Sequence, residues 1–223
     1  MPTRTEEQWI EEYKKKDALW IHDENPKRPH ALLTSGKHSN GFFNSRLVIP
    51  DEELLREAAC DLVEKLVSHG VDIAKVAVVV GPQTGATKLA QLICAQILHV
   101  TKDSCFWASP AKNEEDGKKS MLFDSEELEL FPGQSILLCE DVLTTGGSVG
   151  LTESAVANAG GATLPFLLVL VNRSGLKEVN GKKIIALIDR EMPMWDPGKC
   201  PLCIAGSEAV RPKENWARLN ASC

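Results

Sequence analysis

The stretch Ser135-Ile136-Leu137-Leu138-Cys139-Glu140-Asp141-Val142-Leu143-Thr144-Thr145-Gly146-Gly147-Ser148-Val149 decides how the rest of the chain is read. Ile136 to Cys139 is a continuous apolar run, the pattern of a parallel strand covered on both faces. Glu140 and Asp141 follow where such a strand ends, so their carboxylates emerge at the edge of the sheet. Thr144 to Ser148 then offers hydroxyls, two glycines and a run of backbone N–H groups. A small-residue turn opening a helix cradles phosphate, because first-turn N–H groups have no intrahelical partner. Two acids beside a phosphate cradle suit a ligand carrying both a diol and a phosphate, that is, a sugar phosphate.

Working outward, Val76 to Val80 is a β-branched strand followed by Gly81-Pro82-Gln83-Thr84-Gly85 and a helix from Lys88 to Leu98. This is a second strand-to-helix junction able to hold phosphate, and open parallel sheets bind ligands beyond the carboxyl ends of their strands. Cys105 to Ala108, Leu164 to Val171 and Ile184 to Ile188 read as further strands. Asp51 to His69 is an amphipathic helix that Asp51 can cap, and Thr5 to Leu19 has helical apolar spacing. The alternation predicts an α/β fold with a doubly wound, mainly parallel sheet. One domain is expected over 1–223: an N-terminal helix and small hood (1–50), a core (51–191) and an irregular tail (192–223). Ala31 to Gly36 and Gly41 to Arg46 read as paired strands of a hairpin in the hood. The charged tip from Asn113 to Lys119 reads as a mobile loop.

The composition narrows the function. Of 223 residues, 43% are hydrophobic and 25% charged, enough for a sizeable core. A net charge of −6 argues against a general binder of nucleic acid or anionic membrane. The apolar stretches Val76–Val80 and Leu164–Val171 are too short to span a bilayer, and the charged N-terminal region is unlike a targeting signal. A cytoplasmic protein is the expectation. The seven cysteines, at 60, 94, 105, 139, 200, 203 and 223, read as small buried hydrophobes in a reducing compartment. Only Cys200-Pro201-Leu202-Cys203 has ligand spacing; it is half of a zinc site with no second pair at suitable spacing, so a structural role and no metal site are expected.

The run from Ser135 to Val149 resembles the 5-phosphoribosyl-1-pyrophosphate (PRPP) motif of type I phosphoribosyltransferases, in the form carried by orotate phosphoribosyltransferases. The resemblance extends from about Leu33 to Cys203. It implies that Glu140 and Asp141 hold the ribose hydroxyls and that Thr144, Thr145, Gly146, Gly147 and Ser148 hold the 5′-phosphate. It assigns Gln83, Thr84 and Gly85 to the pyrophosphate. The segment Leu33-Thr34-Ser35-Gly36-Lys37-His38-Ser39-Asn40-Gly41-Phe42-Phe43-Asn44 is similar to the family's base hood, where Lys37 would meet an anionic group and Phe42 or Phe43 would stack on the base. Arg173, after the Leu164 strand, is a candidate for the base-side wall, and Lys112, with Lys118 and Lys119, would meet the departing pyrophosphate.

Mg²⁺, a nucleobase acceptor and a homodimer are implied in the same way. The activity implied is transfer of 5-phosphoribosyl from PRPP to a nucleobase, orotate first, with release of pyrophosphate. Two departures from the family pattern stand out. The segment from Pro110 to Lys119 has no histidine and three acids, and Gly150 stands where an arginine for the orotate carboxylate is usual. Transfer to a different base, or a PRPP-binding regulator without catalysis, therefore stays open.

Overall fold

A computed structural model of the protein describes residues 3–221. Cys223 lies outside the described residues. Six strands form the central sheet, in the spatial order Glu178–Val179, Lys182–Asp189, Ala162–Asn172, Ser135–Leu143, Val78–Val80 and Phe106–Ala108. Neighbours pair in parallel except the short edge strand Glu178–Val179, which runs antiparallel to Lys182–Asp189. The interior strands are as apolar as a doubly covered sheet demands: Val79, Leu137, Leu167 and Val169 are completely buried.

Helices Glu6–Lys15, Glu52–Ser68 and Thr87–Thr101 pack on one face, where Leu62, Leu66 and Ile93 are fully buried with Leu137 and Leu168. Helix Gly147–Asn158 covers the other face, its Val149 and Val156 meeting Phe131, Ile136 and Val169. Truncating one such side chain, Leu62→Ala for example, costs about 2–5 kcal/mol. The expected helices are present. Thr5 forms a capping box with Gln8 ahead of the first, and Asp51 accepts from the Leu54 N–H at 3.1 Å ahead of the second.

The hood departs from expectation. His30–Leu32 pairs antiparallel with His38–Ser39, whereas Gly41–Phe43 pairs with Leu19–Ile21. The reason is the tightness of the turn. Leu33 N–H donates to Lys37 O at 2.8 Å, so the chain returns at once and residues 38 and 39 take the pairing expected of 41 to 46. The tail is also more ordered than expected. Met194–Trp195 adds to one side of the hairpin and Ala209–Val210 to the other, completing a four-stranded hood sheet. Trp20 Nε1–H donates to Leu219 O at 2.9 Å and Trp216 Nε1–H to Asp17 O at 3.0 Å, so the two ends of the chain clamp each other.

A third difference lies at 113–119. The expected mobile loop is an antiparallel hairpin, Ala111–Glu115 with Lys118–Leu122, turning at Asp116 and Gly117. Glu114 stands opposite Lys119 and Glu115 opposite Lys118. Opposite charges facing across a ladder favour that register, which accounts for acids in a segment expected to be basic.

Candidate active site

The carboxyl ends of strands Ser135–Leu143 and Val78–Val80 open into a cavity of about 700 Å³ roofed by the hood. Glu140 and Asp141 lie on its floor with Thr144 and Ser148 beside them. Glu140 is buried and Asp141 half-buried. Burial, with the adjacent Asp141 charge, raises the Glu140 carboxyl well above the usual carboxylate range. A ligand hydroxyl or a cation beside Glu140 would offset the cost of burying its charge. Cys139, just beneath, is fully buried and its thiol is pushed well up by that burial, so it is no nucleophile.

The loop that follows is shaped by close approaches. Gly146 has φ +80°, and a Cβ there would come within 2.4 Å of a Val179 methyl, so only glycine fits. No side chain caps helix Gly147–Asn158, so its first-turn N–H groups remain available to an anion. Thr144 and Ser148 line the cavity, whereas Thr145, Gly146 and Gly147 complete the turn between them without lining it.

The second loop meets the first. A Cβ on Gly85 would stand 2.6 Å from Asp141 Cγ, so glycine is what lets the loop backbone lie against that carboxylate. Gln83 and Thr84, joined by a cis peptide, also line the cavity, and the Gln83 side chain donates to Ser109 O at 2.9 Å. Helix Thr87–Thr101, like its counterpart, has no side-chain cap.

Three cations gather at the rim. Lys112 reaches the cavity from the first strand of the 111–122 hairpin, as expected; Lys118 and Lys119 are not among its lining residues. Arg46 and Lys213 also line it, and sequence reasoning missed both. Lys213 belongs to the tail, and nothing local in Arg211-Pro212-Lys213-Glu214 marks it as a ligand group. Lys213 is exposed, yet desolvation by the surrounding chain lowers its pKa, with Arg46 and Lys112 pushing the same way and Asp141 opposing. Cations held this close favour a polyanionic ligand.

The base-side wall combines hood and core. Phe42 is half-buried and lines the cavity; Phe43 lines it too, but its ring is almost fully buried edge-on against Tyr13, with ring centroids 5.4 Å apart, and belongs to the core. Of the expected pair, Phe42 is the one with ring surface still exposed, although it also packs against Trp216 with ring centroids 5.9 Å apart. Arg173 is 1% exposed and lines the cavity. Its Nη1 donates to Gly41 O at 3.0 Å and its Nη2 to Ser39 Oγ at 2.7 Å, whereas Nε finds no acceptor. The turn behind it is pinned by Asn172, whose amide donates to Leu176 O and Asp189 Oδ1, both at 2.8 Å. No carboxylate pairs with Arg173 among the described residues, and burial lowers its pKa to about 10. A buried guanidinium without a counter-ion is costly, and an anionic ligand in this cavity supplies one.

Lys37 is not brought into the cavity. It lies in the hairpin turn, where its Nζ meets Asp196 Oδ1 at 3.2 Å on the hood's outer side. Position 150 is likewise off the site: a Cβ on Gly150 would face Asn180 Nδ2 at 3.3 Å. Gly150 itself is not among the residues that line the cavity.

Comparison with known proteins agrees with this geometry. The profile of the phosphoribosyl transferase domain matches residues 51–195, and the chain belongs to that family. More narrowly, several curated relatives are named orotate phosphoribosyltransferase. It is 33% identical over 183 residues to orotate phosphoribosyltransferase of Desulforamulus reducens, covering 82% of this chain and 87% of that one. It is 31% identical over 208 residues to that of Caldicellulosiruptor saccharolyticus, covering 92% and 95%. Among solved structures, orotate phosphoribosyltransferase from Aeropyrum pernix superimposes with a TM-score of 0.57 at 20% identity, over 80% of this chain and 91% of that one. An adenine phosphoribosyltransferase from Rhodothermus marinus gives 0.52 at 18% identity, over 82% and 98%. The fold is thus shared by relatives with different bases, and the choice of base rests on the site.

Proposed function

We propose that this chain is an orotate phosphoribosyltransferase, which joins the 5-phosphoribosyl group of PRPP to a ring nitrogen of orotate and releases pyrophosphate. The observation that carries the reading is that Arg173, a buried cation without a carboxylate partner among the described residues, lines the same cavity as the Glu140–Asp141 pair. Among planar bases, one bearing a carboxylate is what that guanidinium suits.

In this reading Glu140 and Asp141 orient the ribose hydroxyls and favour positive charge as the C1–O bond to pyrophosphate loosens. The Thr144–Ser148 turn and the helix it opens hold the 5′-phosphate. The Gln83–Gly85 loop, with Lys112, Arg46 and Lys213, receives the leaving pyrophosphate, whose growing charge those cations stabilise. Phe42 stacks on the base and the hood excludes water, which would otherwise hydrolyse PRPP. The all-oxygen donor set of Glu140 and Asp141 fits Mg²⁺, which usually shares its coordination with substrate phosphates. When bound, that ion offsets pyrophosphate charge. The homodimer implied by the resemblance belongs to the same reading, and exposed Phe106 and Trp107 on the edge strand offer apolar surface for it; sedimentation of the purified chain checks it.

The test is pyrophosphate release from PRPP and Mg²⁺ with orotate, uracil and adenine in turn. Release with orotate alone is the expected result. Release only with another base would replace the acceptor, and PRPP binding without release would make the protein a non-catalytic PRPP binder.

A further inference from the structure

Away from the cavity, the hood holds a second cluster of chemical groups. His30 and His38, on the paired strands His30–Leu32 and His38–Ser39, face Cys200 and Cys203, which bracket the start of the short helix Pro201–Ile204. One ligand atom from each residue falls within 4.8 Å of all the others. The cysteine pair expected to lack a partner therefore has one, separated from it by more than 160 residues in sequence.

The distances have the scale of a coordination shell. His30 Nε2 lies 2.9 Å from His38 Nδ1 and 3.5 Å from each of Cys200 Sγ and Cys203 Sγ; Cys203 Sγ lies 3.2 Å from His38 Nδ1. A tetrahedral zinc with ordinary Zn–N and Zn–S bonds has N···N edges of about 3.3 Å and N···S edges of about 3.6 Å. These four separations fall within about half an ångström of those edges, and every pair in the cluster lies within 4.8 Å. Both cysteines are free thiols, not a disulfide.

The surrounding hydrogen bonds prepare the site. Ser207 Oγ gives its proton to Arg28 O at 2.6 Å and so accepts from His30 Nδ1–H at 2.8 Å. That arrangement leaves the His30 Nε2 lone pair facing the cluster, the kind of outer contact that orients metal-bound imidazoles. His30 and Cys200 are fully buried and His38 nearly so. Two imidazoles and two thiols gathered together, three of them buried and Cys203 partly so, with no carboxylate in the cluster, make a poor packing solution but a complete soft-to-borderline ligand set.

We infer that His30, His38, Cys200 and Cys203 form a tetrahedral zinc site that is structural, because four protein ligands leave no position for substrate. Binding would deprotonate both thiols and release two protons to solvent. The ion would staple the hood hairpin to the tail. His38 immediately precedes Ser39, which accepts from Arg173, so the staple sits one residue from the wall of the cavity. The inference does not depend on which base the enzyme uses.

The full chain, purified from zinc-supplemented medium and passed through a weak chelator, is expected to retain about one zinc per chain by mass spectrometry. Exchanged with Co²⁺, it is expected to show the intense visible bands of tetrahedral cobalt and a thiolate charge-transfer band. Cys203→Ser should weaken the charge-transfer band and metal retention, whereas Cys60→Ser, on helix Glu52–Ser68, should leave both unchanged. A wild-type chain that carries no zinc and gives no tetrahedral cobalt spectrum overturns the site. So does a Cys203→Ser variant that keeps the full two-thiolate spectrum. Should that variant fold poorly, the wild-type spectrum decides alone: two thiolates support the site, none refutes it.

Discussion

The two walls of the cavity are built in opposite ways. The phosphoribosyl side comes from contiguous stretches, Gln83–Gly85 and Glu140–Ser148, each at the end of a buried strand of one sheet. The base side joins Phe42 of the hood to Arg173 at the end of strand Ala162–Asn172, two segments far apart in sequence. A wall made of one strand and its following turn is specified by local sequence, because strand register and helix start fix where each side chain points. A wall made of distant segments is specified by tertiary packing, and its residues carry no local pattern.

That difference orders the expected effects. The largest belongs to the contiguous wall. Asp141→Asn should weaken PRPP binding roughly 10- to 100-fold by calorimetry, the weight of charged hydrogen bonds at about 1.5–3 kcal/mol. Little change there would break the comparison, because the wall most legible in sequence would then carry no binding.

Lys213 should matter less, being exposed and partly screened. Lys213→Met is expected to weaken PRPP about threefold to tenfold in a filter-binding or calorimetric assay. Its pH dependence has a definite sign. The protonated ammonium attracts the polyanion and the free-enzyme pKa is lowered by burial and by Arg46, so PRPP affinity should fall as pH rises, starting below the ordinary lysine range. Lys213→Arg should move that fall to higher pH. An unshifted profile would show that this lysine stays outside the site.

The smallest effects sharpen the base-side assignment. Lys37→Ala should change the orotate KM by no more than about twofold, since an exposed pair with Asp196 is worth little and lies outside the cavity. Gly150→Arg should be as quiet in orotate KM, because the position faces Asn180. A large rise in KM from Lys37→Ala would restore that residue to the base wall and displace Arg173.

Legibility followed the same division. The parallel sheet, the capped helices and the acid-pair turn could be read because apolar runs, cap residues and glycines act within a few positions of each other. The position of Glu140 and Asp141 at the end of a buried strand could be read for this reason. The pairing of His30–Leu32 with His38–Ser39 was missed because the return depends on one backbone bond from Leu33 to Lys37, which several sequences could make. Gly41–Phe43 was then free to join Leu19–Ile21. Arg46 and Lys213 were missed for another reason: a surface cation has no pattern until the fold shows what it faces. The meeting of His30 and His38 with Cys200 and Cys203 was hidden in the same way, since only the tail's return onto the hood creates it.

The central claim is that Arg173 selects a carboxylated base. Its most direct test is the ratio of kcat/KM for orotate over uracil, which lacks the carboxylate, in the wild type and in Arg173→Met, with the PRPP KM as the control for an intact fold. The wild type should favour orotate by about 100-fold or more, and Arg173→Met should bring the ratio close to unity while the PRPP KM stays within a few-fold. An Arg173→Met enzyme that keeps the full preference for orotate would contradict the assignment.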